Sequence, residues 1–199
     1  MKITKIAQQE KLKGRYSVFV DEKYAFSLSE SALLDSGLAS GQELTKEALK
    51  DWKKTSADDK LYGLALRYAA TRLRSTWEME TYLKRKEAAP ALTDKLLSKL
   101  SSIGLLDDAK FAQAWVATRR LLRPTSKRKL QQELRTKRIT EDVIKQALLG
   151  GATDELAVLR EVVAKKRQLA RYKSDNLKLM QYLARQGFGY EDIKSTLEK

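Results

Sequence analysis

Cysteine and histidine are both absent from this sequence of 199 residues. Without cysteine the chain can form no disulfide and has no thiol nucleophile, and such a composition suits the reducing cytoplasm. Without histidine it lacks the commonest general base and the commonest metal ligand of proteins. No glycine-rich phosphate-binding loop occurs either. We therefore expect no metal and no cofactor, and we predict that the protein is not an enzyme.

Proline, glycine and long apolar runs are also scarce. With two prolines and nine glycines, the chain has few residues that would interrupt a helix. No run of about 18 apolar residues occurs, so we expect no membrane-spanning helix. Residues 1–5 lead into no apolar segment, which argues against a secretory signal. These features predict a largely helical protein of the cytoplasm.

Basic residues outnumber acidic ones by 40 to 26, which gives a formal net charge of +14. The excess is uneven, because residues 106–153 carry +6 whereas residues 1–57 carry only +2. Such a balance favours a polyanionic partner, such as a nucleic acid. The simpler alternative is a charged surface that only keeps the protein soluble.

The first 50 residues differ from the rest in favouring β-structure. Residues 15–20 and 24–28 are rich in β-branched and aromatic residues and flank a turn at residues 21–23, which predicts a hairpin. Residues 3–8 predict a third strand. An isolated hairpin is marginal in water, so this element must pack against another part of the chain.

Two short helices are predicted to follow the hairpin. Ser29 is a suitable N-cap for the first helix, which Gly37 would end. Thr45 is a suitable N-cap for the second helix, which we expect to run to residue 52. Together these patterns predict a small β-hairpin-containing element over residues 1–57.

From residue 58 onward, apolar residues recur with helical spacing, and the whole pattern repeats. Leu83 precedes Leu134 by 51 residues, and Leu134 precedes Leu183 by 49 residues. A period of about 50 residues with matching core positions is typical of a repeat array. We therefore predict a mainly α fold of about nine helices in tandem three-helix repeats. Their predicted bounds are residues 58–105, 106–153 and 154–199.

Pairs of adjacent carboxylates are the remaining candidates for acid–base chemistry. They are Asp58 and Asp59, Asp107 and Asp108, and Glu191 and Asp192. Each pair is predicted to lie at the start of a helix, where acidic side chains accept from free amides and favour the helix dipole. Capping is therefore the preferred interpretation over catalysis.

The segment from Arg119 to Arg138 is the strongest candidate for binding, because nine of its residues are basic and Glu133 is its one acid. Lys127 and Arg128 fall in the first turn of a predicted helix, against the preference of the helix dipole. Basic residues recur at a similar place in each repeat, so stacked repeats would align them as a stripe that suits a long polyanion. The predicted binding residues are Arg72, Arg74, Arg119, Arg120, Arg123, Lys127, Arg128, Arg135, Lys137, Arg138, Lys165, Lys166, Arg167, Arg171, Lys173 and Arg185. The alternative is a solvated helix face with Leu130 and Leu134 on its buried side.

Several short motifs occur in a characteristic order along nearly the whole chain. They are Arg74 and Ser75 with Glu78, Tyr82 and Leu83; Gly104 to Asp108 with Phe111, Ala112, Trp115 and Val116; and Leu183 to Phe188 with Tyr190 and Ile193. In order and spacing they resemble the RecX family, the bacterial modulators of RecA recombinase. One departure is Arg138, where members often have glycine. Because arginine at positive φ costs about 1 kcal/mol relative to glycine, we expect this helix end to be built differently.

The resemblance implies a function in DNA repair, homologous recombination and the SOS response. It implies that the protein, as a monomer, binds the RecA–single-stranded-DNA filament, inhibits strand exchange and coprotease activity, and also binds single- and double-stranded DNA directly. Two alternatives remain open. The first is a helix-turn-helix DNA-binding protein acting in transcription, with a recognition helix from Lys127 to Gln132. The second is a phosphate-handling enzyme that uses the carboxylate pairs.

Overall fold

The computed structural model describes residues 1–150 and 154–198, and in these ranges the chain forms three strands and eleven helices. The strands are β1 (Ile3–Gln8), β2 (Arg15–Val20) and β3 (Lys23–Ser29). The helices are α1 (Glu30–Ser36), α2 (Lys46–Ala70), α3 (Thr76–Arg85), α4 (Pro90–Ser102), α5 (Asp108–Leu122), α6 (Lys127–Thr136), α7 (Glu141–Leu149), α8 (Glu155–Arg167), α9 (Ala170–Lys173), α10 (Asn176–Arg185) and α11 (Tyr190–Leu197). The mainly α fold with an N-terminal β-element is therefore confirmed.

The chain divides into two compact units. The first comprises Met1–Arg72 and Met79–Leu105, and the second comprises Leu73–Glu78 and Leu106–Lys199. None of the helices within the part of the chain that the structure describes has the length and apolar character needed to cross a membrane.

The first unit begins with an antiparallel sheet in the order β1-β2-β3. Asp21 and Glu22 form the hairpin turn with φ values of 47° and 65°, the left-handed conformation that two-residue hairpin turns require. Val18, Phe26 and Leu28 are buried in its core. The predicted hairpin and third strand are confirmed, although Lys23 begins β3 and does not belong to the turn.

Helix α2 is longer than predicted. The Thr45 side chain accepts from the Ala48 amide at 3.1 Å, as expected of an N-cap, but the helix continues for 25 residues to Ala70. The predicted end at residue 52 was wrong, because no proline or glycine follows there to stop the helix.

The pair Asp58 and Asp59 therefore lies inside α2, and the prediction that it starts a helix was wrong. Asp59 Oδ2 accepts from Arg15 Nη1 at 2.9 Å and from the Ser29 amide at 2.8 Å. Both charged side chains are largely buried. The ion pair between Arg15 and Asp59 connects strand β2 to helix α2, so the Asp59 carboxylate stabilises the β-element.

The second unit contains two clusters of buried apolar residues. Helices α5, α6 and α7 enclose Phe111, Leu130 and Leu134, and helices α8 to α11 enclose Leu183 and Ile193. The short helix α9 was not predicted. The predicted boundary between the second and third repeats falls on residues 151–153, which lie outside the described residues, as does residue 199.

The three second helices of the predicted repeats, α3, α6 and α10, have ten residues each. Two residues after the end of each helix the chain has a residue at positive φ, namely Glu87 at 58°, Arg138 at 55° and Gly187 at 85°. At the end of α6 the Ile139 amide donates to the Leu134 carbonyl at 3.2 Å, the bond that defines a Schellman cap. The expectation of a different cap at Arg138 was wrong, since this arginine adopts the conformation that glycine would have. The exact repeat bounds stay a prediction.

Candidate functional site

The C-terminal end of α10 lies directly against the N-terminal end of α6. The Gln186 carbonyl oxygen accepts from the Ser126 hydroxyl at 2.8 Å and from the Thr125 hydroxyl at 3.1 Å. Lys129 Nζ donates to the Arg185 carbonyl oxygen at 3.0 Å. A Cβ atom built on Gly187 would lie only 2.5 Å from Ser126 Oγ, so this close approach requires glycine. We call this contact the α10–α6 joint.

An equivalent contact, the α6–α3 joint, connects the C-terminal end of α6 to the N-terminal end of α3. Here Lys137 Nζ donates to Glu78 Oε1 at 2.6 Å, and both side chains are mostly buried. Because Glu78 precedes Lys129 by 51 residues and Lys137 precedes Gln186 by 49, the two joints use corresponding positions. Both joints lie within the second unit.

Three carboxylates of the second unit accept from amides at the starts of helices. Asp107 caps its own helix by accepting from the Lys110 amide at 3.0 Å, and this hydrogen bond holds the pKa of its carboxyl below the usual value. Asp108 accepts from the Thr76 amide of α3 at 2.8 Å. Glu155 accepts in the same way from the Lys127 amide of α6 at 3.1 Å. The capping interpretation of Asp107 and Asp108 is confirmed, and Asp108 caps the helix of the preceding repeat.

Two grooves lie beside the α10–α6 joint. The first has a volume of about 570 Å³, and we call it the arginine groove. It is lined by Arg128, Lys129, Gln132, Arg135, Ala184, Arg185, Gly187 and Phe188. Arg128 and Arg135 of α6 therefore line one groove, and the joint adds Arg185 from another repeat. None of these lining residues is acidic.

The cations of the arginine groove are largely available to a ligand. Within residues 1–150 and 154–198, the side chains of Arg128 and Arg185 form no hydrogen bond or ion pair, and both are exposed. Arg135 Nε donates to Glu141 Oε1 at 2.6 Å, with both side chains half exposed. This hydrogen bond lowers the pKa of Glu141 and raises that of Arg135. Solvent screens this exposed ion pair, so a phosphate can compete with Glu141 for Arg135.

The second groove has a volume of about 560 Å³, and we call it the apolar–basic groove. It is lined by Arg119, Leu122, Arg123, Pro124, Thr125, Lys129, Glu133, Val162, Lys165, Lys166, Tyr182 and Gln186. It combines apolar side chains from α5, α8 and α10 with cations and a single acid, Glu133.

Most cations of the apolar–basic groove already have partners within the protein. Arg119 Nε donates to Glu133 Oε2 at 2.8 Å, and its guanidinium lies 5.0 Å from the Trp115 ring centre. Lys166 Nζ lies 4.7 Å from the Tyr182 ring centre, and Lys165 Nζ lies 2.6 Å from Glu161 Oε1. These contacts hold Arg119 and Lys166 in place, and Trp115 packs against the core as expected.

The other predicted binding residues fall into three groups. Lys137 and Arg167 form intramolecular contacts, the latter with the Tyr172 and Lys173 carbonyl oxygens at 2.9 and 3.2 Å. Arg171 lies over the Tyr172 ring at 4.5 Å from its centre, and Arg72, Arg74 and Arg120 also have partners. The exposed side chains with no polar contact in the described ranges are those of Arg123, Lys127, Arg138 and Lys173. A single stripe along all repeats stays a prediction.

Several residues of the two grooves were not predicted from the sequence, among them Lys129, Gln132 and Leu122. Lys129 lies inside the basic segment but was not selected. Its correspondence with Glu78, at the same 51-residue offset as the core leucines, was the available signal. No group of three or more carboxylates that could hold a metal ion occurs in the described part of the chain.

Comparisons with known proteins agree over most of the chain. Family models match residues 1–45 (Regulatory protein RecX N-terminal domain), 62–100 (RecX, first three-helix domain) and 107–148 (RecX, second three-helix domain). A regulatory protein RecX from Halalkalibacterium halodurans is 32% identical over 188 residues, which cover 92% of this chain and 71% of the relative. One from Bacillus subtilis is 31% identical over 201 residues, which cover 99% and 76%.

Solved structures give the same result. A crystal structure of regulatory protein RecX covers 100% of this chain and 99% of its own, with a TM-score of 0.78 and 26% identity. A structure of RecX from Lactobacillus salivarius, with a TM-score of 0.61 and 23% identity over 72% of this chain and 96% of its own, shares the fold. From the matched domains, the relatives and the fold together, the chain belongs to the RecX family of regulatory proteins.

Proposed function

We propose that this chain binds the RecA–single-stranded-DNA filament and inhibits the recombinase and coprotease activities of RecA. It acts by binding, as a cytoplasmic monomer, and catalyses no reaction itself. The observation that carries this proposal is the arginine groove, where Arg128, Arg135 and Arg185 converge from two repeats and no acid lines the wall.

The chemistry of the arginine groove fits a nucleic-acid backbone. Guanidinium groups bind phosphate through paired hydrogen bonds and keep their charge at any physiological pH. Three of them along one groove can follow successive phosphates without reading bases, which suits single- and double-stranded DNA of any sequence. A modulator of a filament needs such sequence independence, because the filament forms on any sequence.

The helix-turn-helix alternative is less well supported. It requires the N-terminal end of the helix from Lys127 to Gln132 to enter a major groove. In this structure the N-cap residue Ser126 is fully buried, and Gly187 lies against it. The α10–α6 joint therefore covers the N-cap of that helix and leaves only side chains such as Lys127 and Arg128 exposed in its first turn.

The direct test is single-stranded-DNA-dependent ATP hydrolysis by RecA, measured with increasing amounts of this protein. We expect the rate to fall in a saturable manner, and we expect the protein to bind single-stranded DNA with a strong dependence on salt. An unchanged hydrolysis rate at protein concentrations that saturate single-stranded DNA would contradict the proposal.

A further inference from the structure

The connection between the first and second helices of each predicted repeat carries an exposed leucine. In the middle repeat the last turn of α5 ends in Leu121 and Leu122, which are 77% and 70% exposed, followed by the exposed Arg123. Leu73 and Leu169 lie in the corresponding connections and are about half exposed, at 48% and 47%. Two adjacent leucines this exposed are unfavourable in water unless a partner covers them.

Leu122 lines the apolar–basic groove, and Leu121 precedes it in the same turn of α5. Leu122, Val162 and Tyr182 form the apolar wall of the groove. Glu133, the acid in its lining, is bound by the Arg119 guanidinium at 2.8 Å and by the Trp115 indole N–H at 2.9 Å. The groove therefore combines an apolar wall with several cations and one acid that is already bound within the protein.

The two grooves differ in which groups have no partner within the protein: charged groups in the one, apolar groups in the other. In the arginine groove the charge is unsatisfied, since Arg128 and Arg185 have no partner in the described ranges 1–150 and 154–198. In the apolar–basic groove Arg119, Lys165 and Lys166 are bound within the protein, whereas the leucines are uncovered. A phosphate backbone would pair with the cations of the arginine groove but would leave the leucines beside the apolar–basic groove exposed to water.

We propose that Leu121, Leu122 and the apolar–basic groove form a docking surface for an acidic polypeptide segment that carries a bulky apolar side chain. The apolar side chain enters between Leu122 and Tyr182, and a flanking carboxylate meets the guanidinium of Arg123, whose side chain has no polar contact in the described part of the chain. This assignment rests on the function proposed above, so the segment belongs to the recombinase protomers of the filament. Phosphates of DNA occupy the arginine groove beside it.

The test uses the full chain with Leu121→Ser and Leu122→Ser together. A matched control changes two other exposed leucines, Leu34 and Leu149, to serine; these are 77% and 71% exposed. Two measurements are made on each protein. One is the affinity for poly(dT) alone, and the other is the concentration that half-inhibits ATP hydrolysis by RecA filaments formed on poly(dT).

For the Leu121 and Leu122 variant we expect the half-inhibiting concentration to rise about tenfold or more, because a small apolar cluster often carries most of the energy of an interface. We expect its poly(dT) affinity and the control's behaviour to stay within about twofold of the original protein. An unchanged half-inhibiting concentration overturns the inference, and so does an equal loss of poly(dT) affinity, which would assign the groove to DNA. If the unaltered protein does not inhibit hydrolysis, both the inference and the proposed function fail.

Discussion

The α6–α3 and α10–α6 joints use corresponding positions of the chain but different chemistry. At the first, the mostly buried ion pair between Lys137 and Glu78 connects the helices. At the second, Lys129 donates to main-chain and side-chain oxygens of the last turn of α10, and Gly187 allows the backbone to approach. The comparison teaches that corresponding positions of the repeat determine where two helices meet. The side chains at those positions determine which substitutions each joint can accommodate.

The largest expected effects concern the two buried clusters of the second unit, which contain Leu134 and Leu183. Leu134→Ala should destabilise the protein by about 2–5 kcal/mol, because Leu134 is fully buried and the substitution leaves a cavity. Leu183→Ala, at the corresponding position of the third repeat, should cost a similar amount. Urea unfolding of both variants measures this, and a large difference between them would show that the two repeats do not have equivalent cores.

The next effect is expected at the α10–α6 joint alone. Gly187→Ala should destabilise the protein by about 2–4 kcal/mol, because its Cβ would overlap Ser126 Oγ and because the residue has a positive φ. The control is Gly104→Ala, where φ is 74° but nothing lies within 4 Å of the new Cβ. Only the backbone cost of about 1 kcal/mol applies there. Equal thermal destabilisation of the two variants would mean that the close approach at Gly187 is unimportant.

A smaller effect belongs to the other joint. Lys137→Met should cost about 2 kcal/mol, since it leaves the Glu78 carboxylate buried without the ammonium group that faces it. We place the cost below the range for fully buried pairs because Lys137 is about a quarter exposed. Lys145→Met is the control, as Lys145 is mostly exposed and its Nζ lies 4.0 Å from Asp142 Oδ1. Equal unfolding free energies of these two variants would show that the ion pair does not stabilise this joint.

The smallest effect has the opposite sign. Arg138→Gly should stabilise the protein by up to about 1 kcal/mol, because Arg138 has a φ of 55° and glycine adopts this conformation without strain. The side chain is exposed and forms no polar contact in the described residues, so nothing else is lost. A lower melting temperature of this variant would show that the arginine side chain stabilises the helix end.

Much of the fold could be predicted from local signals. The N-caps Ser29, Thr45 and Ser126 and the turn at Asp21 and Glu22 act over three or four residues, so the sequence alone reveals them. Apolar residues at helical spacing also located the second helix of each predicted repeat, namely α3, α6 and α10. The length of α2 was missed because Asp58 and Asp59 were interpreted as the start of a new helix, although no proline or glycine separates them from Thr45.

The candidate site could be predicted only in part. The basic segment was identified, and Arg128 and Arg135 do share a groove. Which cations are available to a ligand depends on partners far along the chain, as with Arg119 and Glu133 or Lys137 and Glu78, which are 14 and 59 residues apart. Composition cannot distinguish an arginine that binds a ligand from one that holds its own fold.

The most direct test of the central claim measures the inhibition of RecA by a variant that lacks the three arginines of the arginine groove. Arg128, Arg135 and Arg185 are changed together to glutamine, which preserves helix propensity. The control changes Lys53, Lys54 and Lys60, exposed residues of α2, to glutamine and removes the same charge.

With folding checked by unfolding free energy, we predict two changes for the arginine variant. The log–log salt slope for single-stranded DNA should decrease in magnitude by about 2, at about 0.7 for each lost phosphate contact. The half-inhibiting concentration for single-stranded-DNA-dependent ATP hydrolysis should rise at least about tenfold, while the control stays within about twofold. A well-folded arginine variant that inhibits as strongly as the control and keeps its salt slope would contradict the account.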